Sequence, residues 1–192
     1  PIPQDPANRR ADWSSSNADM RHRVNFAASY QLPFANGLKG PARQILHGWE
    51  IGGLTVIQTG LPFTVTVPGS PSNTGSGSRA NPVAGVSPEV DEPTIARWFN
   101  TAAFSTPPAF TWGTLGRNTL RGPGIWNVDL SAAKKFNFSE TRRLEFRAEF
   151  FNSLNHPQFG LPGSTIGVGG VATITNTQRA NRQIQFALRY AF

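Results

Sequence analysis

Residues 141–151 read "TRRLEFRAEFF". Leu144, Phe146, Ala148 and Phe150 alternate with Arg143, Glu145, Arg147 and Glu149, so a strand here has one strongly apolar face and one face that needs water or counter-charges. The preceding stretch, "IWNVDLSAAKKFNF" at 125–138, alternates in the same way. Trp126, Val128, Leu130, Ala132, Phe136 and Phe138 stand against Asn127, Asp129, Ser131, Lys135 and Asn137. Only Lys134 interrupts the apolar face, near enough to the strand end for its amine to snorkel toward an interface. A short turn at Ser139-Glu140-Thr141 puts Phe136 opposite Leu144 and Lys135 opposite Glu145, so both faces match at once.

Three more segments carry a two-residue period, and no segment carries a clear helical one. Residues 22–34, "HRVNFAASYQLPF", place Val24, Phe26, Ala28, Tyr30, Leu32 and Phe34 on one face. The stretch from 48 to 67 places Trp49, Ile51, Ile57, Leu61, Phe63, Val65 and Val67 on one face, and Gly52 and Gly53 suit a curved sheet. Residues 181–192 end in "QIQFALRYAF", with Ile184, Phe186, Leu188, Tyr190 and Phe192 in register. The predicted fold is all-β: an antiparallel transmembrane β-barrel segment of about five strands, near 22–34, 48–67, 125–138, 141–151 and 181–192.

The connections separate into two classes. Turns at 35–47 and 139–141 are short, whereas residues 68–123 and 152–180 are long loops rich in Gly, Pro, Ser, Thr and Asn, and "GSPSNTGSGSRANP" within the first is of low complexity. Following the chain, both long loops fall at one end of the sheet and both turns at the other, as in outer-membrane barrels with brief periplasmic turns and long extracellular loops. Phe34, Trp49, Phe138, Tyr190 and Phe192 toward the short-turn end, and Trp126 and Phe150 toward the other, are placed as an aromatic belt requires.

Composition narrows the function classes. The 192 residues contain no cysteine, which excludes disulfides and thiolate sites. A net charge of +7 arises from 18 basic and 11 acidic residues, and only Lys39, Lys134 and Lys135 of the basic ones are lysines. The arginines are spread from Arg9 to Arg189 rather than gathered in a stripe, which argues against a nucleic-acid partner. No apolar run is long enough for a spanning helix. The first residue, Pro1, is read as the start of a piece of a longer chain.

Six blocks, "MRHRVNFAASYQLPF", "GWEIGGLTVIQTGLPFTV", "RWFNTAAF", "LRGPGIWNVDLSAAKKF", "RLEFRAEFFNSLNHPQF" and "RQIQFALRYAF", occur in the order found at the C-terminal end of the barrel of TonB-dependent outer-membrane receptors. The chain resembles the Oar-like group, whose members often carry a carboxypeptidase-regulatory-like domain. The resemblance runs from about residue 5 to 192 and implies residence in the cell outer membrane. It implies a large barrel filled by an N-terminal plug and energised through the TonB system to import a ligand, of which residues 1–192 supply the final strands without the plug. It further implies contact with outer-membrane lipid and lipopolysaccharide, and a C-terminal aromatic signal at Tyr190 and Phe192 read by the barrel-assembly machinery.

His22, His47 and His156 are far apart and form no metal motif, no Gly-x-Ser-x-Gly elbow exists, and Ser153 with His156 is more simply a loop pair, so neither enzyme activity, metal nor cofactor is expected. Trp98, Phe99, Asn100, Trp112, Arg117 and Arg121 in the long loop are the residue types of binding surfaces and are the candidate ligand contacts, suited to a small molecule, an oligosaccharide or a peptide. The Arg143–Glu149 row is read mainly as self-neutralising, against Lys135 and Asp129. Two other functions fit the same pattern: an outer-membrane or surface adhesion module without transport, and a soluble β-sandwich whose apolar faces form an interior.

Overall fold

The computed structural model describes residues 3–37, 39–75 and 77–192. In chain order the strands are β1 (Arg23–Gln31), β2 (Trp49–Gln58), β3 (Pro62–Phe63), β4 (Thr66–Val67), β5 (Ser78–Arg79), β6 (Asn81–Pro82), β7 (Phe104–Ser105), β8 (Leu120–Arg121), β9 (Ile125–Asn137), β10 (Arg143–Phe151) and β11 (Gln183–Ala191), with one helix, α1 (Gly40–Leu46), and two 3₁₀ turns, Arg9–Asp12 and Thr101–Ala103. The chain divides into two compact units, one formed by residues 22–58, 125–158 and 179–192 and the other by 1–21, 59–124 and 159–178.

The first unit is a five-stranded antiparallel sheet in the order β1-β2-β9-β10-β11. Its register carries the alternation across all five strands. Leu144 pairs with Phe136 and Glu145 with Lys135, as the sequence predicts. One row runs Tyr30, Ile51, Ala132, Ala148 and Phe186, every member apolar. The adjacent row on the opposite face runs Ser29, Gly52, Ser131, Glu149 and Gln185. The β9–β10 turn is closed by the Phe138 amide donating to the Arg142 carbonyl at 2.9 Å and the Arg142 amide donating to Ser139 Oγ at 3.1 Å.

The apolar face is uncovered. Phe26 (65 %), Phe186 (66 %) and Leu188 (68 %) are solvent-accessible across it, joined by Val24, Ile57 and Leu130. A sandwich buries such a face against a second sheet, whereas Phe26, Phe186 and Leu188 stay exposed here, which corrects the soluble β-sandwich alternative. On the opposite face Arg147 bonds along its own strand to Glu145 (3.3 Å) and Glu149 (3.7 Å), and Ser29 Oγ donates to Glu50 at 2.7 Å.

Three expectations are revised. The second strand stops at Gln58 instead of reaching Val67. Residues 62–63 and 66–67 leave the sheet and pair with Leu120–Arg121 and Ser78–Arg79, because Gly60 lies so close to the chain at Gly122 that an added Cβ would sit 1.8 Å from the Gly122 carbonyl oxygen. The turn at 35–47 contains a helix, α1, whose seven residues are too few to display a period and whose start is favoured by Pro41 in the first turn. Lys134 does not reach out to solvent. It is 2 % exposed and its ammonium donates to the His47 carbonyl.

The second unit gathers much of the long loops around a core of their own. Phe63, Val65, Val67, Ala80, Phe99, Ala103, Phe104, Leu115 and Ala172 are buried together, with Trp98, Leu120, Ile166 and Val171 packed against them. The loops are therefore built, not merely tethered, and low sequence complexity at their tip conceals that core.

Candidate functional site

The aromatic and arginine residues singled out in the long loop do not form one cluster. Trp98, Phe99 and Arg121 come together around a cleft of about 460 Å³ in the second unit, where Arg21, Glu89 and Asn118 join them. Two short elements set this geometry. Strand β8 fixes Arg121 by pairing it with Pro62, and the indole Nε1 of Trp98 donates to the Arg121 carbonyl at 2.8 Å. Phe99 forms the floor, 2 % exposed, tilted against Phe63 at 5.7 Å and edge-on to Phe104 at 5.8 Å.

The guanidinium of Arg121 is held on three sides. It donates to the carbonyls of Asp19 (3.1 Å) and Gly60 (3.0 Å), and it pairs with the Asp19 carboxylate. That hydrogen bond from Arg121 holds the Asp19 carboxyl below the usual carboxylate range, against a smaller opposing effect of burial. Arg121 is thus a positioned cation with its charge partly answered, and the cleft combines an aromatic wall, an amide at Asn118 and charges of both signs. Such a lining has the chemistry to suit a polar ligand that has one flat or apolar side.

The other predicted contacts are placed elsewhere. Asn100 is structural: its side chain accepts from the Ala102 amide (3.2 Å), capping the 3₁₀ turn, and donates to the Ser87 carbonyl (2.9 Å). Arg117 donates to Asn17 Oδ1 at 2.8 Å and borders a different cleft, with Arg79 and Asp12. Trp112 is half-buried outside the lining of the Trp98 cleft. Sequence reasoning missed Asp19 and Asn118, whose bonding partners lie about a hundred positions away, and Arg21, which borders the same cleft.

Among the described residues no group of His, Cys, Asp or Glu is arranged to hold a metal ion. Ser153 Oγ donates to the Val128 carbonyl at 2.7 Å, and the His156 ring lies over Trp126 with centroids 4.2 Å apart, so both have packing and bonding partners of their own. Asn152, at φ 48°, anchors the same turn by exchanging hydrogen bonds with the backbone of His156. Tyr190 and Phe192 stack at 5.8 Å, with Phe192 92 % exposed.

An antiparallel sheet with one continuous uncovered apolar face and one charged face is membrane-spanning barrel wall, and no helix among the described residues is long and apolar enough to cross a membrane. The family comparison agrees: residues 1–185 match the model of the outer membrane beta barrel domain. The chain belongs to that family and is an outer-membrane protein. No match was found among curated proteins or solved structures.

Proposed function

We propose that this chain forms the C-terminal wall and the ligand-capturing extracellular loops of a TonB-dependent outer-membrane receptor. Its role is binding and import, with no chemistry on the ligand. The observation that carries the reading is the cleft in which Trp98, Phe99 and Arg121, separated by up to 23 positions, converge with Arg21, Glu89 and Asn118. Aromatic faces beside positioned arginine and amide groups suit an oligosaccharide, a peptide or an anionic chelate, and the TonB system acts through parts of the receptor outside residues 1–192.

The test uses the full protein in detergent, titrated with fluorescein-labelled oligosaccharides, a labelled peptide digest and a ferric catecholate chelate. Saturable binding of one probe, weakened at least tenfold by Trp98→Ala and followed by uptake only in cells with an intact TonB system, is the expected result. Saturable binding with no uptake in cells that have an intact TonB system would favour adhesion without transport. No saturable binding of any probe overturns the assignment of the cleft.

A further inference from the structure

A single lysine in the middle of an apolar, lipid-facing row needs an explanation. Lys134 pairs with Trp49 on one side and Phe146 on the other, and its ammonium lies 5.6 Å from the Trp49 ring centroid and 5.0 Å from that of Phe136. Its hydrogen-bond acceptor is the carbonyl of His47, the residue that ends α1. Trp49 does the same one step away, its indole Nε1 donating to the Ile45 carbonyl at 3.0 Å. Two side chains of the apolar face therefore satisfy the carbonyls that a helix C-terminus leaves open, and a cation there also suits the helix dipole. The consequence is positional: α1 is fastened to the lipid side of the wall and not to its charged face.

The helix itself is amphipathic. At about 100° per residue, Pro41, Ala42, Ile45 and Leu46 share one arc while Arg43 and Gln44 occupy the other. Ile45 is 61 % and Leu46 47 % exposed, so the fold does not bury that arc. The helix lies in a connection at the short-turn end of the sheet, which in outer-membrane barrels faces the periplasm. Its apolar arc is thus joined to the lipid-facing row through Trp49, while Lys39 and Arg43 are the basic residues at the start and on the polar arc of the helix.

We propose that α1 is an interfacial helix: Ile45 and Leu46 enter the acyl region of the periplasmic leaflet, and Lys39 and Arg43 bind the phosphates of anionic glycerophospholipid. Lys134 is the positioning residue that holds the helix there. The inference rests on the membership of the outer-membrane barrel family and is independent of whether the receptor imports anything.

Residues 1–192 contain no cysteine, so within them each introduced thiol is a unique labelling site. Nitroxides are attached at Ile45→Cys, Leu46→Cys and Gln44→Cys in the full protein, reconstituted in nanodiscs of phosphatidylethanolamine and phosphatidylglycerol, and collision rates with oxygen and with a water-soluble nickel chelate are compared. Positions 45 and 46 should favour oxygen and position 44 the chelate. Insertion should be stronger with phosphatidylglycerol than with phosphatidylcholine in its place, and Lys39→Gln with Arg43→Gln should weaken that preference by about fivefold per basic residue. Lys134→Met should return position 45 to water while the barrel still assembles, as read by heat-modifiable gel mobility. Water-like accessibility at 45 and 46 in the unmodified background overturns the proposal, as does shielding from both reagents, which would mean a protein covers the helix. Insertion that ignores both lipid charge and the two glutamines overturns the phosphate contact.

Discussion

Trp49 and Phe146 meet edge to face, ring centroids 6.1 Å apart and planes at 82°, although they belong to strands that do not pair with each other. They reach each other across β9, over the position of Lys134. An edge-to-face pair contributes about 0.5–1.5 kcal/mol beyond its area burial. A double-mutant cycle of Trp49→Ala and Phe146→Ala, followed by urea unfolding in detergent micelles, should give a coupling energy of about 1 kcal/mol. Strict additivity would mean that the rings merely lie near one another.

Gly60 is where the wall strand ends and the loop unit begins. A Cβ there would lie 1.8 Å from the Gly122 carbonyl oxygen and 2.8 Å from that of Pro123, and backbone cannot yield as a side-chain tip can. Gly60→Ala should destabilise the fold by about 1–3 kcal/mol. Gly69→Ala serves as a comparison: it has open space but a φ of +72°, so its cost is local strain, about 1 kcal/mol. The unfolding midpoints of the two variants rank the effects.

Much of the wall was readable because a strand with two different solvents on its two faces records both in its alternation. The rows Leu144-Phe136 and Glu145-Lys135 follow from that pattern and one turn. The loop core was not readable. Val65, Ala80, Phe99 and Ala172 are buried together but scattered over more than a hundred positions with no period, because irregular backbone orients each side chain individually. The candidate site inherits this difficulty: Trp98, Phe99 and Arg121 stood out as large aromatic and cationic groups, whereas Asp19 and Asn118 became visible only through their partners. Lys134 was conspicuous in the sequence, yet its acceptor, the His47 carbonyl, is a backbone atom that no side-chain pattern reports.

Asp19 supplies a pH test of the cleft. Its carboxyl is depressed below the ordinary value of 3.8 by the hydrogen bond from Arg121. A depressed acid stabilises the folded state above its unfolded value, and the contribution disappears as pH falls through the folded value. The stability difference between the native protein and Asp19→Asn should therefore be constant from neutral pH down to about 4 and shrink only below that. A difference that already vanishes between pH 6 and 5 would point to a histidine instead.

The Arg147 guanidinium answers both Glu145 and Glu149 on an accessible face. Paired groups of this exposure contribute little, about 0–1 kcal/mol. Arg147→Gln should leave heat-modifiable mobility unchanged and shift the unfolding free energy by less than about 1 kcal/mol. A larger loss, or altered uptake of a ligand that still binds normally, would assign the row to the solute path.

Depth dependence is the sharpest property of a lipid-facing wall. On β11, Phe186 and Leu188 flank the middle of the strand and Tyr190 lies one step from its end, all three on the apolar face and all exposed. In a bilayer, an arginine on the lipid face costs about 2–4 kcal/mol at the midplane and about 0–1 near the interface. Phe186→Arg and Leu188→Arg should therefore impair folding into vesicles far more than Tyr190→Arg. Gln185→Arg, on the opposite face beside Glu149, should cost little at any depth. If the apolar face instead met another protein, no such gradient along the strand would be imposed, and Tyr190→Arg would be as damaging as Leu188→Arg. Reversible folding of the four variants into phosphatidylcholine vesicles of defined thickness measures the gradient directly, and thinner bilayers should reduce the Leu188→Arg cost while leaving Gln185→Arg unchanged.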